Sequence, residues 1–239
     1  MKTKILAFLL LGLGGTLCTN QAAFAQLKIG LKISPGIAYQ RVEDQTKLDE
    51  LSYSSGKAGG SFGAGIVFDY FFRNNYAVNF NLLYSVKKAN VKSPELGLVK
   101  WNVNMIQLPV TLKLFTNEIA PDLKLFFDVG ISPDFVVGQK MKSYTKGTVP
   151  IPSNTAITID PPEGTPYRFA TMSLWMGTGV EYKVAEQTTL FAGLNYNPSL
   201  FSLVGKKGPF TETNTNKSSA NQRLTLRADL ISLDLGIKF

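Results

Sequence analysis

The chain has 239 residues, 44% of them hydrophobic, which is enough for one domain of ordinary size. It contains no histidine, which excludes a Ser-His-Asp triad and any histidine-ligated metal site. The formal net charge is +8, but the basic residues are scattered along the chain, and this distribution argues against a nucleic-acid-binding protein.

The first 25 residues predict a cleaved signal peptide. Two lysines precede an apolar run over residues 5–17, which is shorter than the ~20 residues of a membrane-spanning helix. Ala23 and Ala25 place small side chains at the two positions that a signal peptidase recognises, so cleavage is predicted before Gln26. We therefore expect an exported protein whose mature domain covers residues 26–239.

The only cysteine, Cys18, raises the alternative of a lipoprotein signal. Leu17 is bulky at the position where a small residue normally precedes a lipidated cysteine, so the sequence favours ordinary cleavage. A mature chain without cysteine has no disulfide and no thiolate metal site.

Apolar and polar residues alternate along eight segments of the mature chain, and this period of two is typical of β-strands. The segments cover residues 27–40, 58–72, 76–86, 101–115, 123–137, 169–184, 189–203 and 223–239. The pattern shifts by one residue near Met105-Ile106 and again near Leu230-Ile231. A shift of this kind turns a strand over unless a bulge absorbs it, so we expect a bulge at the first position and a second slip at the other.

The connections between these segments alternate strictly in length. Three are short, at residues 73–75, 116–122 and 185–188, and four are long, at 41–57, 87–100, 139–167 and 204–222. Both ends of the mature chain fall on the short-turn side. An even strand number with short turns on one side and long loops on the other is typical of bacterial outer-membrane barrels. The predicted fold is all-β, an eight-stranded antiparallel up-and-down transmembrane β-barrel with periplasmic termini and four long outer loops.

A soluble barrel of the lipocalin type has the same strand number and periodicity but holds its apolar residues inside. Here one face of each strand is crowded with Leu, Ile and Phe, while the other carries glycine and charge. Aromatic residues also gather near both strand ends, as two membrane interfaces require. The pattern therefore favours apolar residues facing lipid.

An eight-stranded barrel leaves an interior just wide enough for side chains to fill. Charged residues on the polar faces are therefore predicted to pair across a plugged interior as a lumen charge network, and a proton or ion path is the alternative. The predicted members are Lys28, Lys32, Asp69, Lys124, Asp128, Glu181, Lys183, Asp234 and Lys238. No arrangement of residues indicates catalysis, a metal or a cofactor, so we expect a protein that is not an enzyme.

Four stretches resemble the PorT-like outer-membrane β-barrel proteins of Bacteroidetes: the signal ending before Gln26 and residues 106–113, 177–182 and 233–239. The resemblance implies localisation in the cell outer membrane and insertion by the barrel assembly machinery. It also implies that the terminal aromatic, Phe239, serves as the signal that this machinery recognises. Some relatives assist protein secretion and gliding.

The first functional hypothesis is a non-enzymatic integral outer-membrane protein that acts through its surface loops or as a structural component of the envelope. The alternatives are an accessory component of a secretion or transport assembly, and a small pore or hydrophobic-ligand conduit. The expected partners are outer-membrane lipid, the barrel assembly machinery during insertion, and envelope or secretion-system proteins; nucleic acid is not expected.

Overall fold

The computed structural model describes residues 27–44, 54–93, 97–144, 156–159, 168–203 and 224–239. The predicted cleavage site at Ala23, Ala25 and Gln26 lies outside these ranges. The strands are β1 (Leu27–Asp44), β2 (Ser54–Arg73), β3 (Tyr76–Ser93), β4 (Gly97–Gln107), β5 (Val110–Phe115), β6 (Leu123–Tyr144), β7 (Ala156–Ile159), β8 (Ala170–Lys183), β9 (Thr189–Asn197) and β10 (Leu224–Lys238). No helix in the described part of the chain is long and apolar enough to cross a membrane.

The sheet closes into a ring, because β1 pairs antiparallel with β2 on one side and with β10 on the other. β4 and β5 lie end to end and share one place in the ring, since both pair with β3 and with β6. They are separated at Pro109, which has no backbone N–H to donate to a ladder. β7 pairs antiparallel with residues 141–144 of β6, beyond the part of β6 that pairs with β8. The ring therefore has eight strands, and the prediction of an all-β, antiparallel, up-and-down barrel is confirmed.

The two ends of the barrel differ in their connections. The short turns at residues 74–75, 116–122 and 184–188 all lie at one end, which we call the turn end. β10 finishes there as well, where the backbone N–H of Phe239 donates to the carbonyl of Ile29 at 2.8 Å. The opposite end is called the loop end. The three predicted short turns therefore share one end, but the predicted strict alternation of short and long is not observed, because the connection between β3 and β4 at the loop end spans only residues 94–96.

The strands run further toward the loop end than the sequence predicted. β3 continues to Ser93 and β4 begins at Gly97, where the two residues pair, so most of the predicted loop 87–100 is a hairpin. β1 and β2 likewise extend into the predicted loop 41–57, and β6 extends into the predicted loop 139–167. Beyond the apolar band the outward positions also carry polar residues, such as Lys88 and Lys100, so the contrast between the two faces is lost while the ladder of hydrogen bonds continues.

The predicted slip near Leu230-Ile231 is wrong. β1 and β10 keep one register from Asp44↔Leu224 to Gly30↔Lys238. The pattern changes because some inward positions carry apolar side chains, among them Ala228 and Leu230, which are 2% and 4% exposed.

Near Met105 the register does shift, between Asn104 and Met105, as the sequence predicted. The additional residue, however, is Val137 in the neighbouring strand β6, because Gly138 pairs with Asn104 and Val136 with Met105. The alternation along β4 is unbroken: Val103 and Met105 are buried, and Ile106 is exposed. The bulge that was predicted in this segment therefore lies in the neighbouring strand, and β4 itself has none.

The two faces of the ring differ as a membrane barrel requires. On the outer face Leu31 and Leu194 are each 60% exposed, whereas the inward Lys32 and Lys238 are 5% and 1% exposed. A soluble barrel would show the reverse. The apolar side chains therefore cover the outside, and the charges lie within.

β2 and β3 approach each other closely at Gly65. A Cβ atom added to Gly65 would contact the backbone carbonyl of Leu82 and lie 2.8 Å from the Cα of Leu83. At Gly60, in the same strand, an added Cβ would meet nothing within 4 Å. The two glycines therefore make a matched pair for testing this approach.

Gly65→Val is expected to destabilise the folded barrel by roughly 1–3 kcal/mol, because the new side chain must push the two backbones apart. Gly60→Val is expected to change stability by less than about 0.5 kcal/mol. Urea unfolding in lipid vesicles, followed by tryptophan fluorescence, measures both. Equal stabilities of the two variants would contradict the close approach.

Candidate functional site

Two lysines and two carboxylates meet inside the barrel near its turn end. Lys113 Nζ lies 2.6 Å from Glu181 Oε1 and 3.6 Å from Asp69 Oδ2. Lys238 also contacts both carboxylates. We call Asp69, Lys113, Glu181 and Lys238 the lumen cluster; its members come from β2, β5, β8 and β10. All four side chains are buried and the two signs balance, so the cluster is neutral as a unit.

Aromatic and amide side chains complete the surroundings of the lumen cluster. Asn79 donates to Asp69, and the ammonium of Lys113 lies 3.9 Å from the ring centroid of Phe126. Lys238 Nζ lies 5.0 Å from the ring centroid of Phe191. Buried charges need hydrogen bonds in addition to a partner of opposite sign, and these neighbours supply favourable contacts on the remaining sides.

A second ion pair lies next to the lumen cluster. Lys32 Nζ donates to Asp234 Oδ2 at 3.0 Å, and Asn195 Nδ2 donates to the same oxygen at 3.3 Å. Ser232 Oγ donates to the other oxygen of Asp234 at 3.1 Å. The ammonium of Lys32 also lies 4.8 Å from the ring centroid of Trp175. Both carboxylate oxygens of Asp234 therefore accept hydrogen bonds, and the donors are inward side chains of β1, β9 and β10.

Further toward the loop end, Asp134 is held by neutral donors. Gln107 Nε2 donates to it at 3.0 Å, Ser132 Oγ at 2.6 Å and Ser173 Oγ at 2.7 Å. Asn197 connects this group to Lys87, which donates to its amide oxygen at 3.2 Å. Polar side chains therefore cross the barrel at three successive levels.

A cavity of about 20 Å³ lies between the lumen cluster and the Lys32–Asp234 pair. Asp128, Asn81 and Asn195 line it, and an Oδ1 atom of each has no protein donor among the described residues. This volume and these acceptors suit a bound water molecule, and the space is too small for a solute. No group of three or more potential metal-ligating His, Cys, Asp or Glu side chains occurs in the part of the chain that the structure describes.

The nine residues predicted for the lumen charge network do not all meet. Lys32, Asp69, Glu181, Asp234 and Lys238 form the ion pairs described above, and Asp128 faces the cavity without an ion-pair distance to a lysine. Lys28 donates to Thr189 Oγ1 at 3.1 Å, nearer the turn end.

Two predicted members lie outside the network. Lys183 is exposed, and the partly exposed Lys124 approaches Glu118 of the adjacent turn at 3.9 Å. Both residues lie at the ends of their strands, at or beyond the edge of the apolar band. There a side chain on the inward face of the strand can reach solvent. The alternation of residues along a strand therefore does not distinguish these two lysines from a buried one such as Lys113.

Sequence reasoning missed Lys113, which binds both carboxylates of the lumen cluster. A signal for it was present: Thr111 and Lys113 alternate with Val110, Leu112 and Leu114. The unmet expectation of a slip earlier in this segment obscured which face those residues share.

The sequence profile of the family described as "Outer membrane protein beta-barrel domain" matches residues 21–205, more than half of the chain. No curated protein matches the sequence.

Similar solved structures include the outer membrane protein OprG from Pseudomonas aeruginosa, at 10% identity and a TM-score of 0.45, covering 88% of this chain and 95% of OprG. Neisserial surface protein A is similar at 12% identity and a TM-score of 0.38, covering 87% of this chain and 97% of that one. The attachment invasion locus protein Ail of Yersinia pestis is similar at 14% identity and a TM-score of 0.31, covering 88% and 98%.

The family profile spans strands β1 to β9 of the ring, and the exposed apolar face with buried charges is the arrangement that a barrel in lipid requires. The chain belongs to the outer membrane protein beta-barrel domain family.

Proposed function

We propose that this protein is a non-enzymatic, integral component of the cell outer membrane whose interior is a permanent polar plug and whose activity resides on its outer surface. The turn end faces the periplasm and the loop end faces outward. The observation that supports this proposal is that the lumen cluster joins four strands across the ring, while the outer face is apolar. Outer-membrane lipid is thus its constant partner.

The plug argues against the pore and conduit alternatives. An ion crossing the barrel would have to separate Lys113 and Lys238 from Asp69 and Glu181, which pair with no other cation among the described residues. Removing one partner from a buried ion pair costs about 3–5 kcal/mol, and a free-energy cost of this size is a high barrier for conduction. Buried side chains nearer the loop end, among them Lys87, Gln107 and Asp134, lie across the same path.

Single-channel recording tests the plug directly. Purified protein inserted into planar lipid bilayers is expected to give no conductance steps, because side chains fill the interior. A porin inserted into the same bilayers provides the positive control. Reproducible steps that scale with inserted protein would contradict the proposed function and support a pore.

Lys238→Met tests the balance of the lumen cluster. The variant leaves Asp69 and Glu181 to share Lys113, so stability is expected to fall by about 3–5 kcal/mol. Denaturant unfolding in lipid vesicles measures the loss, and the buried Trp175 reports on the interior.

Lys183→Met is the matched control, because it removes the same charge from an exposed position at the same end of the barrel. Its expected effect is within about 0.5 kcal/mol. A Lys238 variant as stable as this control would show that the cluster does not hold the interior together.

Insertion by the barrel assembly machinery forms part of the proposal, and the terminal aromatic supports it. Phe239 is 60% exposed on the outer face, while its backbone is paired with Ile29. Its side chain is thus accessible to another protein or to lipid. Its backbone N–H and carbonyl already form hydrogen bonds within the barrel. We assign it the role of the assembly signal.

Phe239→Ala is expected to lower the amount of barrel in the outer membrane several-fold, while purified folded protein unfolds at nearly the same denaturant concentration. Phe72→Ala is the control, since Phe72 is another exposed aromatic near the turn end, 48% exposed. Quantitative blotting of membrane fractions measures assembly. If both variants lowered the amount of barrel in the outer membrane equally, Phe239 would act only as an aromatic residue of the membrane interface and not as the assembly signal.

A further inference from the structure

The small cavity between the lumen cluster and the Lys32–Asp234 pair is lined by three acceptor oxygens from three different strands. Asp128 of β6, Asn81 of β3 and Asn195 of β9 each contribute a buried Oδ1 atom that has no donor among the described residues. Asn81 and Asn195 are themselves only 5% and 4% exposed. Buried acceptors are nearly always hydrogen-bonded, so three unmatched ones in one cavity indicate a bound species that the chain does not supply.

The hydrogen bonds around the cavity determine which end of each amide faces it. An ionised Asp69 can only accept, so Asn79 directs its Nδ2 at Asp69, and the Oδ1 of Asn79 then accepts from Asn81 Nδ2 at 2.6 Å. Asn195 gives its Nδ2 to Asp234 Oδ2 at 3.3 Å. Both amide nitrogens are thus used outside the cavity, and rotating either amide would break these bonds. The oxygen is therefore the atom that each amide leaves for the cavity.

The carboxylate of Asp128 occupies its place because the residue opposite it is a glycine. Asp128 pairs with Gly177 of β8, which also lines the cavity. A Cβ atom added to Gly177 would contact Asp128 Oδ1. The carboxylate therefore lies over the bare Cα of Gly177, in space that any other side chain at this position would take.

The charges around the cavity leave one carboxylate unmatched. The lumen cluster is neutral and so is the Lys32–Asp234 pair, and the lysines that line the cavity are held by these carboxylates. Asp128 has no ion-pair partner among the described residues. Lys28 lies nearer the turn end, where it donates to Thr189 and is partly exposed to solvent. A buried carboxylate without a cation is costly, so this site favours a positive charge.

A water molecule fits the cavity volume of about 20 Å³ but does not satisfy its lining. It has two hydrogens for three acceptor oxygens, and it brings no charge to match Asp128. A single cation about the size of a water molecule satisfies all three oxygens at once and supplies the positive charge. The rings of Phe126 and Phe191, which also line the cavity, offer no competing donor.

We infer that this cavity binds one dehydrated sodium ion, coordinated by the carboxylate of Asp128 and the amide oxygens of Asn81 and Asn195. Carboxylate and amide oxygens are ligands that hard cations prefer. Calcium takes about six to eight oxygen ligands and magnesium keeps several of its waters, so neither suits three oxygens in so small a space. One unmatched carboxylate also needs one positive charge and not two. Because the ion gives up its hydration, the charge of Asp128 supplies most of its binding free energy.

Urea unfolding of the full mature barrel in phosphatidylcholine vesicles tests the site, with sodium chloride as the probe. Sodium is replaced stepwise by N-methylglucammonium, which is too large for the cavity, so that the ionic strength stays constant. An ion that binds only the folded barrel is expected to raise the folding equilibrium constant about tenfold for each tenfold increase in sodium above its dissociation constant. Caesium chloride is expected to leave the constant unchanged, because the larger ion does not fit.

Asp128→Asn removes the charge while keeping the shape of the side chain. The variant is expected to have the same folding equilibrium constant at every sodium concentration. In sodium-free buffer it is expected to be more stable than the unmodified protein, because it buries no unmatched charge and its new amide N–H can donate to the free oxygens of Asn81 and Asn195. Glu118→Gln is the matched control: it removes one negative charge from an exposed position, and it is expected to keep the full dependence on sodium.

Three results would overturn the inference. A folding equilibrium constant of the unmodified protein that does not respond to sodium would mean that a water molecule or a proton occupies the cavity. An undiminished response in Asp128→Asn would place the ion elsewhere. Equal stabilisation by caesium would indicate a general effect of salt, and this comparison needs only the unmodified protein.

The test is independent of the proposed function. A sodium ion held among fixed oxygens belongs to the plug and does not require an open path, since the unfolded chain meets the same buffer. A missing response to sodium therefore counts against the cation site alone, whereas conductance in bilayers counts against the plugged barrel alone.

Discussion

The closure of the ring between β1 and β10 is the constraint on which the remaining structure depends. A closed sheet satisfies its backbone hydrogen bonds internally, which is the condition for strands to cross hydrocarbon. With eight strands, closure also sets an interior no wider than a few side chains. Every inward side chain must then fit that space, and the polar and charged ones need a hydrogen bond or an opposite charge. Every outward position within the membrane must be apolar.

The outer face was predictable because one simple rule governs it. Leu31, Ile33 and Ile37 alternate with Lys32 and its inward neighbours, and lipid accepts any apolar side chain at any of the outward positions. Strand number, the side that faces lipid and the short turns therefore followed from period two. The lengths of the strands did not follow from it. Residues such as those between Lys87 and Ser93 lie beyond the apolar band, where the alternation is lost, although they remain paired with the neighbouring strands.

The inner face obeys no such rule, and there sequence reasoning failed in particular places. Leu230 and Met105 are apolar yet point inward, so they were interpreted as shifts of the pattern. The partners of Lys113 come from β2 and β8, and only the stagger of the closed ring brings them to the same level. A pattern along one strand contains no information about that stagger, and this explains why Lys124 and Lys183 were grouped with residues that they never meet.

The composition of the lumen cluster has a consequence for the order in which the barrel forms. Asp69 and Lys238 are separated by 169 residues, and the cluster is complete only when the last strand has joined the first. Until then, its carboxylates hold one lysine where they need two, and the unmatched charge favours water over hydrocarbon. An open sheet therefore cannot enter the membrane core at low cost, so closure and burial advance together as one late and cooperative step.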